Sequence, residues 1–67
     1  MKLGKYRHFK GNEYEVLAIA NHSETLEKMV VYKALYGDGG LWVRSYGMFF
    51  ETVEINGEKI PRFKKIS

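Results

Sequence analysis

His22-Ser23-Glu24-Thr25 sets an imidazole, a hydroxyl and a carboxylate side by side. These are the groups from which acid–base and nucleophilic catalysis are assembled. Consecutive residues on one loop diverge, however, and a catalytic triad is defined by mutual geometry rather than adjacency. No Gly-x-Ser-x-Gly turn exists to expose the serine. The segment therefore reads as a structured loop whose Ser, Thr and Asn side chains bond nearby backbone. His8 falls near the first turn and His22 at the far end of the strand after it, which makes them a poor metal pair. The chain has no cysteine, hence no thiolate nucleophile, disulfide or cysteine-ligated zinc. Gly37-Asp38-Gly39-Gly40 lacks the Gly-Lys-Ser/Thr ending of a phosphate loop, and no helix follows it. It reads as a turn. The sequence thus points away from an enzyme and implies neither metal nor cofactor.

Residue types suited to binding are more prominent. Tyr6, Tyr32, Trp42 and Arg44, with His22 from the loop, form a candidate ligand surface for a small molecule or a peptide. Aromatics and arginine carry much of the energy at recognition surfaces. The competing reading is that Trp42 closes one end of a tiny core with Arg44 packed across it. A second set lies in the charge pattern. Residues 1–10 carry Lys2, Lys5, Arg7 and Lys10 without an acid, and residues 59–67 carry Lys59, Arg62, Lys64 and Lys65 without an acid. All 8 acids lie between. If the terminal strands are neighbours, Arg7, Lys10, Lys64 and Lys65 make a basic patch for nucleic acid. Otherwise they serve solubility.

Both sets must be positioned by strands. Val, Ile, Thr and aromatic residues cluster in short runs between Gly, Asn and Asp punctuation. Strands are expected over 4–9, 13–20, 29–36 and 41–45. The second half of the 13–20 strand is apolar on both faces, which predicts a covered, central strand. In the 41–45 strand, Leu41 and Val43 are expected to fill the interior while Trp42 and Arg44 face outward. Asn56-Gly57 marks a two-residue hairpin turn. It sets Ile55 opposite Glu58, Glu54 opposite Lys59, Val53 opposite Ile60, Glu51 opposite Arg62 and Phe50 opposite Phe63. Pro61 cannot donate to a ladder, so its strand is an edge or leaves the ladder there. The result is an all-β fold: a small, SH3-like antiparallel β-barrel of five or six short strands. At most one short helical turn is expected, at Tyr46-Gly47-Met48.

The residues also carry a family resemblance. Gly4-Lys5-Tyr6-Arg7-His8-Phe9-Lys10-Gly11-Asn12, Tyr14-Glu15-Val16-Leu17 and Ala20-Asn21-His22-Ser23-Glu24-Thr25-Leu26 resemble the first half of a small bacterial family, the one labelled domain of unknown function 1653. Val30-Val31-Tyr32-Lys33-Ala34-Leu35-Tyr36-Gly37, Leu41-Trp42-Val43-Arg44, Met48-Phe49-Phe50-Glu51 and Pro61-Arg62-Phe63 are similar to its second half. The resemblance implies an SH3-like barrel, bacterial origin and no established activity. The departure is Ser45-Tyr46-Gly47, where the family pattern implies a bulkier or proline-containing link.

Size sets the remaining bounds. The 67 residues are expected to form one domain, 1–67, that buries only about 60% of its unfolded surface. The longest apolar stretches, Val16–Ala20 and Val30–Tyr32, are far shorter than the ~18–20 residues of a membrane span. The polar start lacks the apolar core of a signal peptide. A cytoplasmic monomer that does not engage membranes is the expectation.

Overall fold

The structure is a computed structural model and describes residues 3–67. Seven strands and one helical turn follow in order: β1 (Gly4–His8), β2 (Glu13–Asn21), β3 (Lys28–Ala34), β4 (Leu41–Ser45), α1 (Tyr46–Phe49), β5 (Thr52–Ile55), β6 (Glu58–Pro61) and β7 (Phe63–Lys65). Five strands form one antiparallel sheet in the order β4-β3-β2-β1-β7, and β5 and β6 form a separate ribbon. The architecture is all-β as expected, but no ladder joins the two sheets, so hydrogen bonding does not close a barrel. The chain passes from one to the other at Arg62, whose N–H donates to the Glu51 carbonyl at the end of the ribbon (3.0 Å) and whose carbonyl accepts from the Phe9 N–H at the end of the main sheet (2.9 Å).

The hairpin follows its sequence signal. Asn56 and Gly57 both take positive φ, 51° and 82°, as a type I′ turn requires. Ile55, Glu54 and Val53 pair with Glu58, Lys59 and Ile60, and Glu51 forms an ion pair with Arg62. The ladder stops at the Thr52–Pro61 pair. Beyond it the chain crosses to β1, where Phe63 pairs with His8. The expected Phe50–Phe63 pairing is therefore replaced: Phe63 stacks on Phe49, with ring centroids 4.1 Å apart and planes 1° from parallel. Proline ends the ladder, and the next residues are free to join another sheet. The helical turn gives the two adjacent phenylalanines different environments, burying Phe49 and leaving Phe50 half-buried. Ser45 caps this turn, its Oγ accepting from the Met48 N–H at 3.2 Å.

The core is aromatic. Tyr6, Val16, Val30, Tyr32, Phe49 and Phe63 form one buried cluster, with Tyr14, Tyr46 and Phe50 against it. Most of its ring pairs meet edge-on, 5.0–6.3 Å between centroids, the geometry that the ring quadrupoles favour. A small core is filled here by rings rather than by aliphatic side chains.

Two expectations are corrected. The second half of β2 is not covered. The register shifts between Val16 and Ala18, leaving Leu17 as a bulge, and β1 pairs β2 only over Glu13–Val16. From Leu17 onward β2 has a neighbour on one side only, and Leu17 and Ile19 are exposed. The orientation of β4 is also reversed. Trp42 pairs with Tyr32 and Arg44 with Val30, and directly opposed residues share a face. Tyr32 and Val30 are buried, so Trp42 and Arg44 lie on the core-side face. Leu41 and Val43 lie on the outer face, both exposed. The register against β3 decided this, and alternation within β4 alone could not.

Candidate functional site

The five-stranded sheet has two edges, and each carries one of the residue sets singled out from the sequence. At the first edge is β4. Its outer side makes no backbone hydrogen bond among the described residues. Trp42 is 56% exposed although it lies on the core-side face, because no further strand extends over it. Arg44 is half-buried. Its Nε donates to the Tyr32 hydroxyl at 3.4 Å, and its guanidinium lies 5.8 Å from the Phe63 ring centroid, within cation–π range. Arg44 is thus braced against the core beside an open indole.

The other ligand candidates are placed differently. Tyr6 and Tyr32 are buried at 4% and 5% exposure, so they support the surface from beneath and do not present themselves to solvent. His22 leaves the sheet beyond the Asn21–Lys28 pair. Lys28 lies about 13 Å along β3 from the Tyr32–Trp42 pair at ~3.3 Å per residue, so the fold does not bring His22 to Trp42. Its Nδ1 accepts from the N–H groups of Glu24 (3.1 Å) and Thr25 (3.3 Å), and Thr25 Oγ1 accepts from the Glu27 N–H at 3.2 Å. The imidazole organises a loop. Ser23 and Glu24 are exposed on it with no assembled triad.

At the opposite edge β7 pairs with β1, so the terminal basic segments do become neighbours. Arg7 and Lys64 are register partners on the outer face. Lys65 pairs with Tyr6 on the other face, its ammonium 5.8 Å from that ring centroid. Lys10 sits in the turn after β1, 5.9 Å from the Phe9 ring centroid. The fold therefore joins Arg7 and Lys64, sets Lys10 at the end of their strand and sends Lys65 to the opposite side. Arg7 is also ion-paired to Glu13 at 2.8 Å.

Burial, aided by the neighbouring Tyr46, raises the Tyr6 phenol above its ordinary value, and two further groups between these edges, His8 and Tyr14, are perturbed. Burial, then the charges of Arg62, Arg44 and Lys10, hold His8 below the ordinary histidine value. Burial and the hydrogen bond to Tyr36 push the Tyr14 phenol up to about 12, with the two hydroxyl oxygens 2.7 Å apart. Both groups are therefore neutral at neutral pH. Among the described residues no three His, Asp or Glu side chains gather as metal ligands, and no helix is long and apolar enough to cross a membrane.

Sequence reasoning missed a cavity beside the basic edge, bordered by Phe9, Ile60, Pro61 and Ile66 as well as Arg7 and Lys64. It forms where the chain leaves β6 and returns as β7. Pro61 signalled the departure, but nothing local signalled the gap that it opens.

A small all-β protein with an aromatic core and an open β4 edge is the class that the fold and these surfaces define. The chain belongs to the family described as protein of unknown function (DUF1653), whose model matches residues 4–65. The crystal structure of a protein of that family from Bordetella bronchiseptica is similar, with a TM-score of 0.90 and 37% identity. The match covers 98% of this chain and 87% of that one. No curated protein matches.

Proposed function

We propose that this protein is a non-catalytic binding module that takes a peptide or a small molecule at the Trp42–Arg44 face. An extended peptide fits the geometry best. The supporting observation is the free edge of β4 beside an exposed tryptophan. Unpaired backbone donors and acceptors on a strand edge recruit a further strand, while side chains on alternate faces select its sequence. Trp42 and Arg44 serve one face of such an added strand, and Leu41 and Val43 serve the other. A small ligand uses the same indole and guanidinium without the backbone ladder.

The test is a chemical-shift titration against peptide and metabolite pools. Shifts concentrated in Leu41–Ser45, lost in Trp42→Ala, are the expected outcome. Perturbations that never cluster near Trp42 sink the reading. A molecular mass that doubles with concentration in the absence of ligand assigns the edge to a second copy of this chain instead. The nucleic-acid reading through Arg7, Lys10, Lys64 and Lys65 has less behind it, because those cations divide between two faces.

A further inference from the structure

The ribbon and the main sheet leave a cleft between them. It has a volume of about 340 Å³ and is bordered by Arg7, Phe9, Ile60, Pro61, Lys64 and Ile66. Its two chemistries are separated by position. Arg7 and Lys64 stand side by side across the β1–β7 ladder. Phe9, Ile60, Pro61 and Ile66 supply carbon surface around them. A site of this kind, apolar with a few convergent polar groups, is the usual form of a small-molecule pocket. Such pockets run from about 300 to 1,000 Å³, so this one suits a single ring or a short branched chain.

The cations retain capacity. Lys64 is exposed and its side chain makes no hydrogen bond or ion pair among the described residues. Arg7 donates from Nε and Nη2 to the same Glu13 oxygen, at 3.2 and 2.8 Å, which leaves Nη1 unbonded. His8 also borders the cleft. Its Nδ1 accepts from the Lys10 N–H at 3.1 Å, so the proton of the neutral ring sits on Nε2. The positive charges of Arg62, Arg44 and Lys10 that disfavour its protonation also make this corner attractive to an anion.

We propose that the cleft binds a small organic anion, a phosphomonoester or carboxylate attached to an aromatic or branched apolar body. Lys64 and Arg7 take the charged group, as cations suited to oxyanions. Phe9, Ile60 and Ile66 cover the body. The site is separate from the β4 edge and does not depend on the peptide reading.

Phenyl phosphate is the probe, with inorganic phosphate and phenol as its two halves. Titrated into the intact protein and followed by amide shifts, phenyl phosphate should perturb Phe9, Gly11, Lys64 and Ile66 saturably. Each half should bind at least tenfold more weakly. Lys64→Glu should weaken phenyl phosphate at least tenfold, whereas Lys28→Glu, the same change of net charge at an exposed position far along the sheet, should leave it unchanged. Equal losses in the two variants would reduce the effect to net charge and overturn the proposal. So would inorganic phosphate binding as well as phenyl phosphate, or oligothymidylate shifting these residues when phenyl phosphate does not. Because the readout lies at residues 9–11 and 64–66, its failure is distinct from failure of the peptide titration at 41–45.

Discussion

The two edges of one sheet manage exposure in opposite ways. β7 is three residues long, follows directly on Pro61 and Arg62, and carries Lys64 and Lys65. Shortness, a nearby proline and lysines are the devices by which proteins keep an edge from recruiting another strand. β4 has five residues, no proline and no lysine, and of the edge-blunting devices it carries only an inward-pointing charge. Its one charged residue, Arg44, is turned inward to Tyr32 and Phe63, and Leu41, Trp42 and Val43 are all exposed. The same sheet thus blunts one edge and leaves the other apolar, and the proposed strand addition at β4 rests on that contrast.

The largest expected effect removes the element common to both edges. Phe49 is fully buried, stacks on Phe63 of β7 and meets Tyr32 of β3 edge-on. Phe49→Ala should cost about 3–5 kcal/mol in urea denaturation and loosen both edges together; a loss confined to one edge would show that they are held independently. Next is a change at β1 alone. Gly4 has φ of 128°, and a Cβ there would lie 2.5 Å from the Ser67 carbonyl oxygen. Gly4→Ala should cost about 1–3 kcal/mol and raise amide exchange in β1 and β7 before β4.

A smaller change in stability is expected from Val43→Lys, which gives β4 the lysine that β7 already has. Stability should shift by no more than about 0.5 kcal/mol in the same denaturation assay, while peptide binding is lost; retained binding would count against strand addition. The smallest effect is on pH dependence. In the unfolded chain His8 titrates near its ordinary value of about 6.5, and in the fold it titrates lower. The unfolded state therefore takes up more protons as pH falls below about 6.5, so the stability is fully present above that pH and declines on acidification. The urea midpoint should drop between pH 7.5 and 5.5, and the drop should shrink in His8→Gln.

Local chemistry was legible in the sequence where it is also local in the fold. Asn56-Gly57 fixed its own turn and register, Pro61 marked the end of its ladder, and Tyr46-Gly47-Met48 coincides with α1. The sense of β4 was not legible, because alternation gives two faces without saying which is inward. That choice comes from pairing with Tyr32. The bulge at Leu17 was hidden for a related reason: a strand apolar on both faces reads as covered, yet here it outruns its neighbour. Of the candidate ligand residues, Trp42 and Arg44 share one face, as strand alternation requires, though it is the core-side one, whereas tyrosine type alone does not separate the buried Tyr6 and Tyr32 from a surface pair. The cleft depends on two distant segments and left no local trace.

The pairing of β1 with β7 has a temporal consequence. β1 reaches its first partner through the short turn to β2, but its second, β7, only after β2–β6 have intervened. Closing so long a loop carries an entropic cost before any contact rewards it, and non-local strand pairing slows folding. β1–β4, joined by short connections, can assemble first with one side of β1 left open. Phe63 then completes the sheet and the aromatic stack in a single late step. Until that step the partial sheet exposes the free side of β1 as well as that of β4, and its vulnerability to mispairing lasts until β7 docks.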